Sequence, residues 1–296
     1  MGENSEPLVL CIIVNWNGGA DTKICLEHLA QVSYKNCEIV VVDNGSTDDS
    51  VQQIREAHKA IPIIECETNR GFSAGNNAGI RYALSRGADY VWLLNNDTKP
   101  HADALRALVA KGEQLQGVGA VASVIYDMNQ PDNVQTWGGG HVNTWTGYCS
   151  RAVAPVSDEW CDYLAATSIL IRRAALLSCG LLDEGYFAYW EDTEYSYRLR
   201  RCGWTLAVAN ESKVAHKENA STASNPHWRV RLSTASAIRF LRQNSRFPAV
   251  SVGIFVILRL GKRLLTGQFD ALRSVIAGCR DSVSSLRQPS SVVRRK

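Results

Sequence analysis

No two of the nine cysteines, at positions 11, 25, 37, 66, 149, 161, 179, 202 and 279, form a C-x-x-C pair. That absence and the odd count argue against a zinc ribbon, a thioredoxin-like redox site or a disulfide framework. Several of these cysteines sit inside apolar runs, where the thiol serves as a small hydrophobe. The expected compartment is therefore the reducing cytosol. Long hydrophobic runs are also missing. The apolar stretch 250–258 lasts nine residues before Arg259, against the ~20 needed to span a bilayer. The opening MGENSEPLVL has no basic n-region or cleavage site, so no signal peptide is expected. There is no internal repeat and no G-x-G-x-x-G fingerprint. The first apolar run is followed by NWNGGAD, with one lysine at 23. It is not the glycine-rich basic loop that a nucleotidyltransferase needs to grip a triphosphate.

What is present suits a globular α/β protein. The chain has 296 residues, with 45% hydrophobic and 21% charged side chains. The net charge of +3 hides a division. From Arg246 onward there are ten Lys/Arg and two Asp/Glu, whereas the preceding residues hold 22 and 27. A strongly basic tail suits an anionic partner. Its arginines are interleaved with Leu, Val and Ile rather than with stacking aromatics, which favours a membrane surface over nucleic acid. The segment 250–265 reads as an interfacial helix, or equally as a core-packed helix with a solvated basic face.

Short β-branched runs at 8–14, 38–42 and 89–94, with a weaker one at 62–65, alternate with amphipathic stretches at 21–31, 48–58, 74–86 and 101–115. This rhythm predicts an open, mostly parallel sheet flanked by helices. Ligands of such sheets bind beyond the carboxyl ends of the strands, where Asn15–Gly18, Asp43–Asp48 and Asn95–Thr98 fall. Further strands are expected at 118–126 and 168–173. A hairpin with loops is expected between 127 and 160, and helices at 191–202 and 228–243. Gly203 stands where a left-handed helix-ending residue belongs.

Five segments could carry chemistry, and each also has a plain structural account. LLNNDTKP ends a buried strand in an acidic turn. Asp97 there could hold a hard divalent ion, or Asp97 or Thr98 could simply cap a helix. VVDNGSTDDS places Asp43 at a strand end, where it could accept the imide N–H of uracil or thymine. TNRGFSAGNNAGI has glycines at 71, 75 and 79 that would let backbone approach a ligand, and Arg70 offers a planar fork to a base or phosphate. In YFAYWEDTEYSYRLRRCGW, Tyr189 and Trp190 could form a sugar-stacking wall beside Glu191 and Asp192, although two acids at a helix start also gain from its dipole. His216 lies among polar residues and is expected on an exposed edge.

Taken in order, IIVNWNGG, VVDNGSTD, NRGFSAGNNAGI, LLNNDT, FAYWEDTEYSYRLRRCGW and the late His216 resemble the family 2 glycosyltransferases over about residues 8–222. The start NWN, the run NRGF-GNN and the turn NND look most like rhamnosyltransferase-type members that extend bacterial surface polysaccharides. The resemblance implies the GT-A (nucleotide-diphospho-sugar transferase) fold, a Rossmann-like mostly parallel sheet with a C-terminal helical tail. It implies a catalytic domain at 1–225, with a nucleotide-sugar half at 8–125 and an acceptor half at 126–225; the basic helical extension at 226–296 is suited by its own composition to the inner face of the cytoplasmic membrane, or else to packing on the core. It implies Asp192 as catalytic base with Glu191 orienting it or binding acceptor hydroxyls. Asn15, Asp43, Arg70, Asn77 and Asn96 would bind the donor, with Asp43 on its pyrimidine. Asp97 and His216 would hold Mn²⁺ or Mg²⁺. The partners implied are a pyrimidine nucleoside-diphosphate sugar, with dTDP-rhamnose preferred to a UDP-hexose, and a glycan or lipid-linked glycan acceptor. Transfer would invert the anomeric centre. In one respect the chain departs from the pattern. Asn95 and Asn96 stand where the family often has a second Asp, which lowers the negative charge at the metal and leaves a non-catalytic glycan-binding scaffold as the rival.

Overall fold

The computed structural model describes residues 6–217 and 226–284. The end of the basic tail, with Arg287, Arg294, Arg295 and Lys296, lies outside the described residues, as does the 218–222 part of the motif matched above. In chain order the elements are β1 (Val9–Asn15), α1 (Gly19–Leu29), β2 (Cys37–Asp43), α2 (Ser50–Ala57), β3 (Ile63–Glu65), α3 (Phe72–Ser85), β4 (Tyr90–Leu94), β5 (Thr98–Pro100), α4 (Ala104–Gln114) and β6 (Val118–Asp127). They continue with β7 (Val134–Trp137), β8 (Gly139–Asn143), β9 (Tyr148–Arg151), β10 (Tyr163–Leu164), β11 (Ser168–Arg172), α5 (Arg173–Cys179), α6 (Glu191–Arg201) and β12 (Thr205–His216). Three helices close the order: α7 (Pro226–Asn244), α8 (Pro248–Leu265) and α9 (Phe269–Ser284).

The main sheet runs β3-β2-β1-β4-β11-β6-β12-β5, with β7 paired to β6. The first four strands are parallel. Strands β11, β5 and β7 run antiparallel to their neighbours, and β12 is parallel to β6. The expected mostly parallel α/β sheet is what forms. Side chains alternate between two cores because a strand's period is two. Cys11, Ile13, Trp92 and Leu94 face one core with Leu26 of α1 and Leu105 of α4. Leu10, Ile12, Val91 and Leu93 face the other with Ile80 of α3, Leu176 of α5 and Leu199 of α6. Burial on both faces explains why these strands read as continuous apolar runs.

The glycines of NRGFSAGNNAGI have a different use from the one expected. A Cβ on Gly79 would lie 2.4 Å from Ile12 Cγ2, and one on Gly75 would lie 2.9 Å from Val14 Cγ1. Both let α3 press on β1 instead of opening the backbone to a ligand. The Gly-Gly-Gly run serves a second, three-stranded sheet ordered β10-β8-β9. Cβ atoms on Gly139 and Gly140 would strike the carbonyl oxygens of Tyr163 and Ser150 at 1.9 and 1.8 Å. Gly203, as expected, has a positive φ of 88° just beyond α6.

The described residues form two compact units. One holds both sheets with α1–α6. The other holds α7, α8 and α9 together with the chain segments 143–148 and 185–190. Within this helical unit Trp145 stacks on Phe247 at 5.5 Å and Trp190 on Phe240 at 5.0 Å. Tyr186 donates its hydroxyl to Gln243 Oε1 at 2.7 Å, and Ser236 donates to the Ala188 carbonyl at 3.0 Å. Helix α8 buries Ser251 and Phe255 and leaves Val250, Ile257, Leu258, Leu264 and Leu265 exposed. No helix among the described residues is long and apolar enough to cross a membrane.

Candidate active site

The parallel register sets Asn15 beside Asp43 at the carboxyl ends of β1 and β2. Asn15 is fully buried. Its Nδ2 donates to Asp43 Oδ1 at 2.8 Å and to Ser46 Oγ at 3.1 Å, while its Oδ1 accepts from Thr22 Oγ1 at 2.8 Å. The sequence expects Asn15 to line the nucleotide site; in the structure its side chain turns inward and fixes the Asp43 carboxylate. Asp43 also accepts from Ser46 Oγ at 2.6 Å and from Ser46 N at 2.9 Å. Three of roughly four carboxylate acceptor positions are thus filled by the protein, and one is left for a ligand's N–H. The turn is tight. Gly45 has φ +76°, and a Cβ there would meet the Thr68 backbone at 2.5 Å.

Arg70 lies beyond this turn, exposed, with Nη2 on Glu184 Oε2 at 2.9 Å. Asn77, expected to bind the donor, is buried and spent internally. Its Nδ2 donates to the Leu182 carbonyl at 2.9 Å and to Glu184 Oε1 at 3.0 Å, and its Oδ1 accepts from Leu182 N at 3.0 Å. It is a strut between α3 and the segment before Glu184. The hydrogen bond from Asn77, with Arg81 and Arg70, holds the Glu184 carboxyl below its ordinary range. Nothing in the local sequence marks Glu184 as such a hub.

The acidic turn is not a helix cap. Thr98 opens β5, and α4 starts only at Ala104. Thr98 Oγ1 donates to the Asn95 carbonyl at 2.6 Å, closing the turn. Strand β5 pairs with the end of β12, with Thr98 opposite His216. This pairing brings His216 Nε2 to 3.3 Å from Asp97 Oδ1. His216 is not on an exposed edge, since its side chain is only 12% exposed. Gln135, unmarked in the sequence, fixes the ring. Its Nε2 donates to the His216 carbonyl at 3.0 Å, so its Oε1, 2.9 Å from Nδ1, accepts from that nitrogen. The Nε2 edge is thereby presented to Asp97. Asn96 Nδ2 donates to Thr22 Oγ1 at 3.0 Å. A buried chain Asn96–Thr22–Asn15–Asp43 thus ties the acidic turn to the carboxylate at the end of β2.

One carboxylate and one oriented imidazole form a donor set that Mn²⁺ accepts readily and the harder Mg²⁺ less so. Among the described residues no third His, Cys, Asp or Glu joins them. The pair fits an ion that completes its shell with substrate diphosphate and water.

Helix α6 starts with Glu191 and Asp192. Asp192 Oδ1 accepts from Thr193 N at 2.6 Å and from Thr193 Oγ1 at 3.1 Å, while Oδ2 accepts from Ala166 N at 3.3 Å. The next residue, Thr167, accepts from Asn95 N at 3.0 Å through its carbonyl. Residues 166 and 167 therefore touch both the acidic turn and the second acid of the pair. Glu191 is buried, and its Oε2 has no hydrogen-bond partner. Burial, then the neighbouring Asp192 charge, push its carboxyl up to about 8. Burial also raises Asp192, but the hydrogen bonds from Thr193 and Ala166 oppose the rise. The donors on Asp192 and their absence on Glu191 Oε2 favour the proton on Glu191 and the charge on Asp192 within the pair. Tyr189 and Trp190, which precede it, both have left-handed backbone, φ 69° and 70°, an unusual choice for bulky residues. The Trp190 ring expected in a sugar wall packs on Phe240.

Between about pH 4.5 and pH 8 the folded chain retains a proton on Glu191 that the unfolded chain releases. Stability from this group is therefore full at low pH and declines as pH rises, by ~1.4 kcal/mol per pH unit. Glu191→Gln should melt near the wild-type temperature at pH 5 and clearly above it at pH 8.5. Thermal melts with parallel pH slopes would refute the assignment of the proton.

The model of the family described as "Glycosyl transferase family 2" matches residues 10–177. The N-acetylglucosaminyl-diphospho-decaprenol L-rhamnosyltransferase of Mycobacterium tuberculosis is 24% identical over 241 residues, 73% of this chain and 78% of that one. The dTDP-rhamnosyl transferase RfbF of Shigella flexneri is 20% identical over 220 residues, 70% of this chain and 68% of that one. Among solved structures, the mannosyltransferase PcManGT from Pyrobaculum calidifontis, in complex with GDP-Man and Mn²⁺, superposes with a TM-score of 0.61 at 17% identity. That match covers 95% of this chain and 76% of the other. The curled, mostly parallel sheet is the GT-A fold, and the chain is a glycosyltransferase that belongs to glycosyl transferase family 2.

Proposed function

We propose that this enzyme moves rhamnose from dTDP-rhamnose to a hydroxyl of a growing, lipid-linked surface glycan, with inversion. The observation that carries the reading is that three parts are linked by hydrogen bonds, two at strand ends and one at the start of α6, through Thr22 and Asn15 and through residues 166 and 167. The parts are the Asp43 carboxylate with one open acceptor position, the Asp97–His216 pair, and the Asp192 carboxylate, which accepts from Thr193 and Ala166 beside the buried Glu191. Asp43 would read the imide edge that thymine and uracil share, and exposed Arg70 would reach the donor from the β3–α3 loop. Asp97 and His216 would hold Mn²⁺, which when bound offsets charge on the departing diphosphate. Asp192 would take the acceptor hydroxyl proton as the new C1–O bond forms and the bond to the diphosphate oxygen breaks. A single displacement from the face opposite the leaving group inverts C1. Glu191, neutral, would donate to an acceptor hydroxyl or to Asp192.

The names of the two rhamnosyl transferase relatives support the sugar. The mycobacterial relative, named for N-acetylglucosaminyl-diphospho-decaprenol, supports a lipid-linked acceptor. The basic helical unit with its exposed apolar residues supports peripheral attachment to the inner face of the cytoplasmic membrane. The test is a panel of nucleotide sugars with Mn²⁺ and a polyprenyl-diphospho-glycan acceptor, scored by mass spectrometry. Consumption of dTDP-rhamnose well above the rest is expected. Preference for a UDP-hexose would overturn the sugar, and no consumption of any donor would favour a non-catalytic glycan-binding role.

A further inference from the structure

The helical unit contains a cleft of about 670 Å³ between the start of α7, the last turns of α8 and the α8–α9 turn. Its wall carries His227, Arg229, Arg259 and Arg263, against Asp270 as its single acid among the described residues. Arg259 is placed by the Ser233 hydroxyl, to which Nη2 donates at 3.3 Å, and by the Phe255 ring, 5.3 Å from its Cζ. Arg263 is held by Nη1 on Gln268 Oε1. Its Nε is buried and has no hydrogen-bond partner in the described protein. Buried donors of this kind are normally satisfied, and a cationic wall with an unsatisfied guanidinium N–H calls for an anion.

The surroundings narrow the choice of anion. Leu264 and Leu265 follow Arg263 directly, and Phe269 itself lines the cleft. Leu265 is 90% exposed and Phe269 63%. A site for a free anion has no use for apolar side chains standing out in water beside it. A cationic cleft with an exposed Phe269 in its wall, and exposed Leu264 and Leu265 at the end of α8, is instead the arrangement that meets a headgroup with its charge and the acyl boundary with its apolar side chains.

We propose that the cleft seats the phosphate headgroup of an anionic phospholipid, with Arg229, Arg259 and Arg263 around the phosphate and Leu264, Leu265 and Phe269 entering the bilayer boundary. The proposal rests on the peripheral-membrane reading above and adds to it a defined site and a ligand chemistry. Phosphatidylcholine vesicles, with and without phosphatidylglycerol, test it by cosedimentation of the full chain in the absence of nucleotide sugar. Binding should be at least about tenfold tighter with phosphatidylglycerol. The double variant Arg229→Gln/Arg263→Gln should lose about that factor, and Arg229→Lys/Arg263→Lys should keep most of it. Leu265→Ser/Phe269→Ser should also lose it, with the cleft's charges intact. Inorganic phosphate should displace the protein no better than chloride at equal ionic strength, and specific displacement by phosphate would overturn the lipid in favour of a free-anion site. Equal binding to both vesicle types, or wild-type binding by the Gln variant, would overturn the cleft. Thermal melts verify folding of each variant. Turnover of donor with a soluble acceptor, read on the same proteins, should be unchanged. A failure of the glycosyltransferase reading would appear there and leave vesicle binding intact.

Discussion

Asp192→Asn is expected to cut sugar transfer by on the order of 10²–10⁴-fold while leaving affinity for the nucleotide sugar near the wild-type value. The proposed base acts in its charged form, and the local hydrogen bonds favour that form on Asp192 over Glu191. Three donors, two from Thr193 and one from Ala166, aim at the Asp192 oxygens, while the neighbouring Glu191 has none on Oε2. An asparagine keeps the size and removes both the charge and the basicity. Either orientation of its amide sets an N–H against a backbone donor, Thr193 N or Ala166 N, so a loss of about 1 kcal/mol in stability should accompany the kinetic loss. Calorimetric titration with dTDP-rhamnose separates the two effects. Glu191→Gln leaves Asp192 and its three donors in place and should cost transfer far less. Near-normal turnover of Asp192→Asn would remove Asp192 from the reaction. A loss of donor binding equal to the loss of turnover would make it a structural residue.

How much of this site the sequence announces depends on whether a residue acts through a local pattern or through a distant partner. The strands at 8–14, 38–42 and 89–94 are legible because burial on both faces requires unbroken apolar runs. The helix at 191–202 is legible from its acidic start and its glycine stop. Strand β5 is three residues long and exists only because the end of β12 pairs with it. No local pattern near Thr98 points to a partner near His216. For the same reason His216 reads as an exposed polar residue when it is in fact held between Asp97 and Gln135. Asn15 and Asn77 show the opposite failure. Their motif positions announce that an amide is required but not which way it faces. Both turn inward, Asn15 to Asp43 and Asn77 to Leu182 and Glu184. Thr22, Gln135 and Glu184 carry no sequence signal because each is a single polar residue whose partners lie far along the chain. Gly75 and Gly79 look like ligand-cradling glycines, yet the atoms they admit are Val14 and Ile12.

Chelation with EDTA should abolish transfer by the wild-type enzyme, and Mn²⁺ should restore it better than Mg²⁺, because one of the two protein ligands is an imidazole. Asp97→Asn should lower turnover by about 10²-fold or more and should make what remains insensitive to EDTA. The Asp97 backbone carbonyl still accepts from Lys217 N at 3.0 Å, so the turn keeps its shape and the loss is one of charge. With Asn95 and Asn96 beside it, Asp97 is the sole carboxylate of the turn, and no third acid, His or Cys joins the pair among the described residues. One carboxylate and one imidazole would not hold a divalent ion tightly in water. The remaining negative charge would arrive with the diphosphate of the sugar nucleotide. Metal and nucleotide binding would then be coupled, and the coupling would be reciprocal. The nucleotide would tighten Mn²⁺ binding by the same factor by which Mn²⁺ tightens the nucleotide. Titration of Mn²⁺ into the nucleotide-free enzyme should give little or no heat, and the same titration with dTDP present should give a clear isotherm that Asp97→Asn abolishes. Tight Mn²⁺ binding without nucleotide would mean a ligand set larger than Asp97 and His216. EDTA-resistant wild-type turnover would remove the ion from the mechanism.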